Sequence, residues 1–516
     1  MSARLPSQPV WPEKSRRASI LSHLDNIPGV VAFATVVVGA LVLLSAAGLH
    51  VVKGETFPEL AGPTVIAWQP PIAPVTQAFA SPLNVVSTAP QAANVAPKPV
   101  HGAIRPLIPA EATGVYTLPA PGNRLAYVPS SSVRIEQLIG DTDRSNNLPT
   151  VNQTQKRYGI EGTDLGYSFE HKGRLYFLFG DTIGPIGGDP IGVTDATDPS
   201  LPMKLDFLTD ASGQYLVVEP PAISMEGYET PVSGISVNGN MYVVLKSAYI
   251  PPFSENVATM LTRYDEPTQT FRVQRWISSL PGGHFITPSL HYVHGPIANL
   301  EGNGPWVVMF GSGDYRNSKG YLGITPAETF ATGENTRYFA GFDIMGPRWS
   351  SREIDAVPII HESDVGDISV TWIPEAQLWV AMYDSLNPRG ILVRTARYPW
   401  GPWSAPEIVY EPSREVGYGV FIYDPSRKDN DKLVGPFNDP ENKASESYGG
   451  FYAPYLIERF TRYKNGELTL SWVMSTWNPY VVVRMESRLH VLAPEAPPTP
   501  GAVRTADLPA SYLIEP

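Results

Sequence analysis

Two aspartates, Asp164 and Asp181, bracket a segment that reads as a β-hairpin, Gly162-Thr-Asp-Leu-Gly-Tyr-Ser-Phe-Glu-His-Lys-Gly-Arg-Leu-Tyr-Phe-Leu-Phe-Gly-Asp-Thr182. Lys172-Gly173 is a natural two-residue turn between runs rich in Phe, Tyr and Leu. With that turn at the tip, Asp164 falls opposite Asp181 on one face, with Cβ atoms roughly 4.5–5.5 Å apart. Two carboxylates so close resist double ionisation, so one keeps its proton and an acid stands beside a base or nucleophile. That pairing suits glycoside hydrolysis. The plainer alternative is two turn-capping aspartates at strand ends.

The elements that must hold such a pair recur along the chain. Asn238-Gly239 is a strong turn signal between Ile-Ser-Val and Met-Tyr-Val-Val-Leu, and its register sets Thr230 across from Ser247. A turn at Pro374–Gln377 joins Asp367-Ile-Ser-Val-Thr-Trp to Leu-Trp-Val-Ala-Met-Tyr-Asp384, setting Asp367 opposite Asp384. A longer hairpin spans Ile286 to Asp314, and a last one runs from Tyr452 to Asn478, turning at Asn465-Gly466 with Pro454 facing Trp477. Five similar units without helical segments between them predict an all-β, five-bladed β-propeller, with a two-sheet sandwich as the alternative. In the propeller, Asp164, Asp181, Thr230, Ser247, Asp314, Asp367, Asp384 and Trp477 would line one mouth of the channel.

Bulk composition narrows the partners. Charged residues are 17% of the 516, while Tyr (25), Trp (11) and Pro (53) are abundant, the balance of a β-rich domain with aromatic surfaces. A net charge of −12 argues against a nucleic-acid partner. The absence of cysteine removes disulfides, thiolate nucleophiles and Cys-zinc sites. No His/acid cluster has zinc-ligand spacing and no phosphate-cradling glycine motif occurs. No cofactor or metal is therefore expected, although oxygen ligands are plentiful enough for a structural calcium ion.

Residues 29–49 carry no charge and are long enough to cross a bilayer. Arg4, Lys14, Arg16 and Arg17 precede them, which favours a cytoplasmic N-terminus and an extracytoplasmic remainder. A signal peptide cleaved near Ser45-Ala46-Ala47 is the rival reading. The expected order is a cytoplasmic segment 1–28, a transmembrane signal-anchor helix 29–52, a Pro/Ala-rich linker 53–124, the propeller 125–493 and an unstructured tail 494–516.

Four segments in order carry a resemblance: Gly162-Thr-Asp-Leu-Gly with Phe179-Gly-Asp-Thr, Gly311-Ser-Gly-Asp-Tyr-Arg, Tyr452-Ala-Pro-Tyr, and Ser475-Thr-Trp-Asn-Pro-Tyr. Together they resemble glycoside hydrolase family 183, formerly catalogued as a bacterial domain of unknown function. The resemblance covers most of the folded domain but not the anchor or linker. It implies a five-bladed propeller that cleaves α-linked D-arabinofuranosyl chains internally, as in mycobacterial arabinogalactan and lipoarabinomannan. Asp164 would be the general acid/base and Asp181 the nucleophile. A carboxyl separation of about 5 Å would predict retention, whereas inversion needs roughly 6.5–9.5 Å.

Asp367 and Asp384 form a second facing pair by the same arithmetic, and the resemblance favours the first. The second pair would bind sugar hydroxyls, tune the catalytic pair or fix rim loops. Asp314 lies among glycines that permit an exposed turn, and Arg316 would pair with a carboxylate or grip a hydroxyl. Trp477 and Asn478 end the last hairpin, where an indole would face a furanose ring or fill inter-blade space. Tyr452, Lys246 and His284, the last after Gly282-Gly283, complete the substrate-binding candidates. The sequence thus points to a membrane-anchored endo-D-arabinanase acting on the arabinan of a mycobacterial-type envelope. The alternatives are a non-catalytic glycan-binding propeller that tethers the wall and a furanosidase of other specificity, such as L-arabinan.

Overall fold

The dipeptides that read as turns in the sequence are turns in the fold. The computed structural model describes residues 123–220, 229–247, 257–436 and 448–493. Lys172 and Gly173 have φ of 49° and 80°, Asn238 and Gly239 50° and 78°, and Asn465 and Gly466 52° and 80°. Two successive positive angles are what a type I′ hairpin demands, and they match the right-handed twist of the strands on either side.

Among the described residues, five antiparallel sheets form blades, beside a two-stranded ribbon of Thr142–Asp143 and Leu148–Pro149. Leu165–His171, Arg174–Phe179, Ile191–Thr194 and Asp206–Phe207 form blade one, and Glu229–Val237, Asn240–Ser247, Ala258–Asp265 and Thr270–Ser279 form blade two. Blade three has Ser289–Val293, Trp306–Ser312, Gly320–Pro326, Arg337–Asp343 and Gly346–Ser350; blade four has Ile368–Ile373, Leu378–Leu386, Arg389–Ala396 and Glu407–Tyr410. Blade five joins Gly450–Leu456, Glu467–Trp477, Val481–Leu492 and the short Arg462–Lys464 to two strands from the start of the propeller, Arg124–Tyr127 and Val133–Gln137.

The first strand of each blade touches the first strands of its two neighbours, and the cycle closes from blade five to blade one. That closed ring is a five-bladed propeller and excludes the sandwich. Pairing of both early strands with Val481–Leu492 ties the start of the propeller to its last blade and covers the outer edge of that strand. Blades are buried on both faces, which is why strands such as Arg174–Phe179 are continuously apolar instead of alternating. Packing is close enough that a Cβ on Gly234 of blade two would lie 2.4 Å from the Phe169 ring of blade one.

Three expected registers are corrected. Asp164 does not pair with Asp181, because Leu165 pairs with Phe179 and Tyr167 with Leu178, leaving an extra residue on the inner strand. The Gly180 N–H instead donates to the Asp164 carbonyl at 3.0 Å. Thr230 faces Lys246, not Ser247, owing to a slip at Val232, and Trp477 pairs with Gly450, not Pro454. The slips in blades one and two are bulges near the mouth end of the innermost strand, whereas most of the blade-five offset comes from the 3-10 turn Glu458–Phe460 between Leu456 and Arg462, with one further residue at a bulge between Tyr452 and Tyr455. In blades one and five the bulges lie at left-handed residues, Leu165 (φ 61°), Gly166 (101°) and Ala453 (51°). In blade four the expected ladder holds, with Ile368 opposite Tyr383 and Ile373 opposite Leu378.

The anchor 29–52, most of the linker and the tail from 494 lie outside the described residues. Among those described, no helix is long and apolar enough to cross a membrane.

Candidate active site

Because every blade starts with its innermost strand, the loop entering that strand and the loop leaving the second strand open at one end of the ring. Asp164 immediately precedes Leu165–His171, and Asp181 follows Arg174–Phe179. Lys246 is the last residue but one of the second strand of blade two, Tyr315 and Arg316 follow that of blade three, and Asp367 and Asp384 take the equivalent places in blade four. Blade five adds Tyr452 and Tyr455 from its inner strand and Tyr480 from the next loop.

The first pair is built around a buried acid. Asp164 is 4% exposed, and its Oδ2 accepts the Tyr452 hydroxyl at 2.8 Å. Its Oδ1 lies where a Cβ on Gly180 would be, only 2.2 Å away, so glycine at 180 makes room for the carboxylate. Burial and then the charge of Asp181 push the Asp164 carboxyl up to about 8, against the opposing pull of the Tyr452 and Tyr480 hydroxyls. Asp181 is half-buried, and its carbonyl accepts the Tyr480 hydroxyl at 2.7 Å. Thr163 and Thr182 clasp the two ends, both donating to the Gly180 carbonyl at 3.0 Å. Direct cross-strand pairing is absent, yet the Asp181 charge still acts on the Asp164 carboxyl.

The second pair is held differently. Asp384 is 1% exposed; its Oδ1 accepts the Asp367 N–H at 2.7 Å and its Oδ2 the Arg316 Nε at 2.6 Å. The Tyr315 hydroxyl approaches the same Oδ2 at 3.4 Å. Burial opposes the Arg316 charge, but Asp384 outweighs it and the guanidinium is held above its ordinary value. Asp367, also buried, is pushed up to about 7 by burial and by Asp384, while Lys246 and Arg316 pull it down. Asp367 in turn raises Asp164, so the two pairs act on each other.

A family profile described as a domain of unknown function, DUF4185, matches residues 150–486. The chain belongs to the DUF4185 family. No curated protein matches it. Among solved structures, the DUF4185 chain is similar to the catalytic domain of a GH62 α-L-arabinofuranosidase from Coprinopsis cinerea (14% identity, covering 71% of this chain and 100% of that one, TM-score 0.36). It is also similar to an endo-1,5-α-L-arabinanase from Thermotoga petrophila RKU-1 (9%, 64% and 72%, 0.33) and to the family 43 glycoside hydrolase YxiA from Bacillus licheniformis (12%, 62% and 70%, 0.34).

The DUF4185 mouth gathers Asp164, Asp181, Lys246, Arg316, Asp367, Asp384 and Tyr452 of the expected residues. The other four stand elsewhere or do other work. Asp314 is exposed and caps its own turn, accepting Asn317 Nδ2 at 3.0 Å. His284 stacks on Tyr321 with ring centroids 3.9 Å apart, and its backbone N–H donates to the Glu353 carboxylate at 2.6 Å. Asn478 is buried; its Oδ1 accepts the Gly435 N–H and its carbonyl the Tyr423 N–H, so it ties loops together. Trp477 packs edge-on against Tyr480 at 5.4 Å. Sequence reasoning missed Tyr315, Tyr455 and Tyr480 as site residues. All three lie inside the quoted motifs, where Tyr455 and Tyr480 each follow a proline and Tyr315 precedes Arg316, but nothing in residue type set them apart from packing tyrosines. Among the described residues no cluster of three or more His, Asp or Glu has metal-holding geometry.

Proposed function

We propose that this DUF4185 protein is a glycoside hydrolase that cuts D-arabinan internally. The observation that carries the reading is Asp164, a buried carboxyl that keeps its proton at neutral pH beside the less buried Asp181. Asp164 donates its proton to the leaving glycosidic oxygen, and Asp181 attacks the anomeric carbon. Asp164, now ionised, then takes a proton from the water that releases the sugar. Tyr452, hydrogen-bonded to Oδ2, keeps the carboxyl oriented through both steps. The charge of Asp181 acts on Asp164, and the reading takes the pair as a retaining one, which needs carboxyls about 5 Å apart.

The substrate rests on the four motifs that resemble glycoside hydrolase family 183. The uncharged run 29–49 behind a basic leader supports a membrane tether with the propeller outside, acting on envelope arabinan. Incubating the purified full-length chain with D-arabinan, and following product size and anomeric form by NMR, tests the reading. Short oligosaccharides of retained anomer, lost in Asp181→Asn, are expected. Binding without new reducing ends would select a glycan-tethering propeller, single sugars would refute internal cleavage, and products from L-arabinan alone would change the specificity.

A further inference from the structure

Outside the channel, between blades two and three, lies a pocket of about 460 Å³ walled by Trp276, Ser278, Ser279, Gly283, Glu353 and Ile354. Its volume falls in the range of small-ligand sites, about 300–1,000 Å³. Trp276 is 57% exposed and Ile354 62%, so an indole and an aliphatic side chain stand in water together. Trp276 is on the outermost strand of blade two, between two register slips. Thr259 pairs with Ser278 but Met260 with Trp276, and Leu261 pairs with Arg275 but Thr262 with Val273. Bulges of this kind bend a strand and re-aim its side chains. The carboxylate of Glu353 is pinned beside them, its Oε1 accepting Ser278 Oγ and the His284 N–H, both at 2.6 Å.

The pocket is on the mouth side of the ring. Ser279 pairs with Ala258, and Ala258 pairs with Ser247, the neighbour of Lys246, whose charge acts on Asp367. On the blade-three side, His284 joins the pocket to the Tyr321 ring. A polymer threaded through the acid cluster and running outward over blades two and three would cross Lys246 and then reach Trp276. We propose that this pocket is an accessory sugar-binding site for the polysaccharide chain leaving the channel. Trp276 stacks on the C–H face of a sugar ring, while Glu353 and Ser279 meet its hydroxyls. The proposal rests on the glycoside hydrolase reading for its ligand, a pentofuranose polymer.

The test uses full-length protein carrying Asp181→Asn, so that polymer is not consumed, in affinity electrophoresis through gels containing D-arabinan. Adding Trp276→Ala is expected to weaken retardation about tenfold, Trp276→Phe to restore most of it, and Glu353→Gln to weaken it as well. Retardation unchanged by Trp276→Ala overturns the proposal, as does a parent protein that the polymer does not retard. A parent that is retarded through Trp276, while protein without the Asp181 change releases no reducing ends, leaves the pocket standing and removes the hydrolase reading. Cleavage together with Trp276-independent retardation does the reverse.

Discussion

Replacing Asp164 by asparagine is expected to abolish hydrolysis and yet make the protein more stable, by an amount that grows with pH. The folded protein holds the Asp164 proton up to about pH 8, whereas the unfolded chain releases it near 3.8. Below 3.8 both states are protonated and the difference vanishes. Between the two values the folded state binds the extra proton, so stability falls as pH rises, and above 8 the loss is complete. At 1.36 kcal/mol per pH unit, this amounts to at most about 6 kcal/mol. Asparagine is never ionised, keeps an oxygen for the Tyr452 hydroxyl and matches the aspartate in shape above Gly180. Half of that ceiling, about 3 kcal/mol, is the working expectation. The assay is thermal denaturation of the wild-type and Asp164→Asn proteins at pH 4.5, 6, 7 and 8.5. A melting-point advantage of several degrees at pH 8.5, shrinking towards zero at pH 4.5, is the predicted result. A difference that does not change with pH, or a variant less stable at pH 8.5, would refute the claim that this carboxyl is buried against its charge.

Gly180→Ala should reduce turnover about 100-fold, since its Cβ would meet Asp164 Oδ1 at 2.2 Å and Leu165 side-chain atoms at 2.9 Å. Gly173→Ala, with nothing within 4 Å of its Cβ but φ of +80°, should cost about 1 kcal/mol of stability and leave turnover intact. Arg316→Leu leaves Asp384 buried without its ion pair, so a loss of about 3–5 kcal/mol is expected in denaturant titrations, with Arg316→Lys recovering part of it.

The blades were legible because hairpin turns are local. Asn238-Gly239 and Asn465-Gly466 declare positive φ by residue type, and the apolar runs beside them give strand identity. The bulges were not legible, because Leu165 and Ala453 take left-handed angles against their own preference, held there by the packing of neighbouring blades. One slipped residue was enough to move Asp181 from its expected partner. Closure by Arg124–Tyr127 and Val133–Gln137 was equally hidden, since these strands are short and half-exposed and their partner lies at the far end of the chain. Tyr455, on a strand, read as core packing, and neither it nor Tyr480, in the following loop, carried a functional signal, whereas Asn478 did and proved to be a loop tie.

Spacing alone could not choose between the two acid pairs; the way each is held favours the first for the proposed chemistry. Both oxygens of Asp384 are engaged, by the Asp367 N–H, Arg316 and Tyr315, and the residue is 1% exposed, so it presents no surface to an anomeric carbon. Asp181 is half-buried at the mouth. The groups that lower Asp164 are tyrosine hydroxyls, whereas those that lower Asp367 include two cations, Lys246 and Arg316. A proton shared among these carboxyls therefore rests most firmly on Asp164, and the cation-braced pair tunes it from blade four. If so, Asp367→Asn removes a repulsive charge from Asp164 without removing a reacting group. Turnover should fall less than about tenfold, and the alkaline limb of the pH profile, set by Asp164, should move to lower pH. Asp181→Asn should abolish turnover outright. Equal, complete losses from Asp367→Asn and Asp181→Asn, with no shift of the limb, would place the chemistry in the wrong blade.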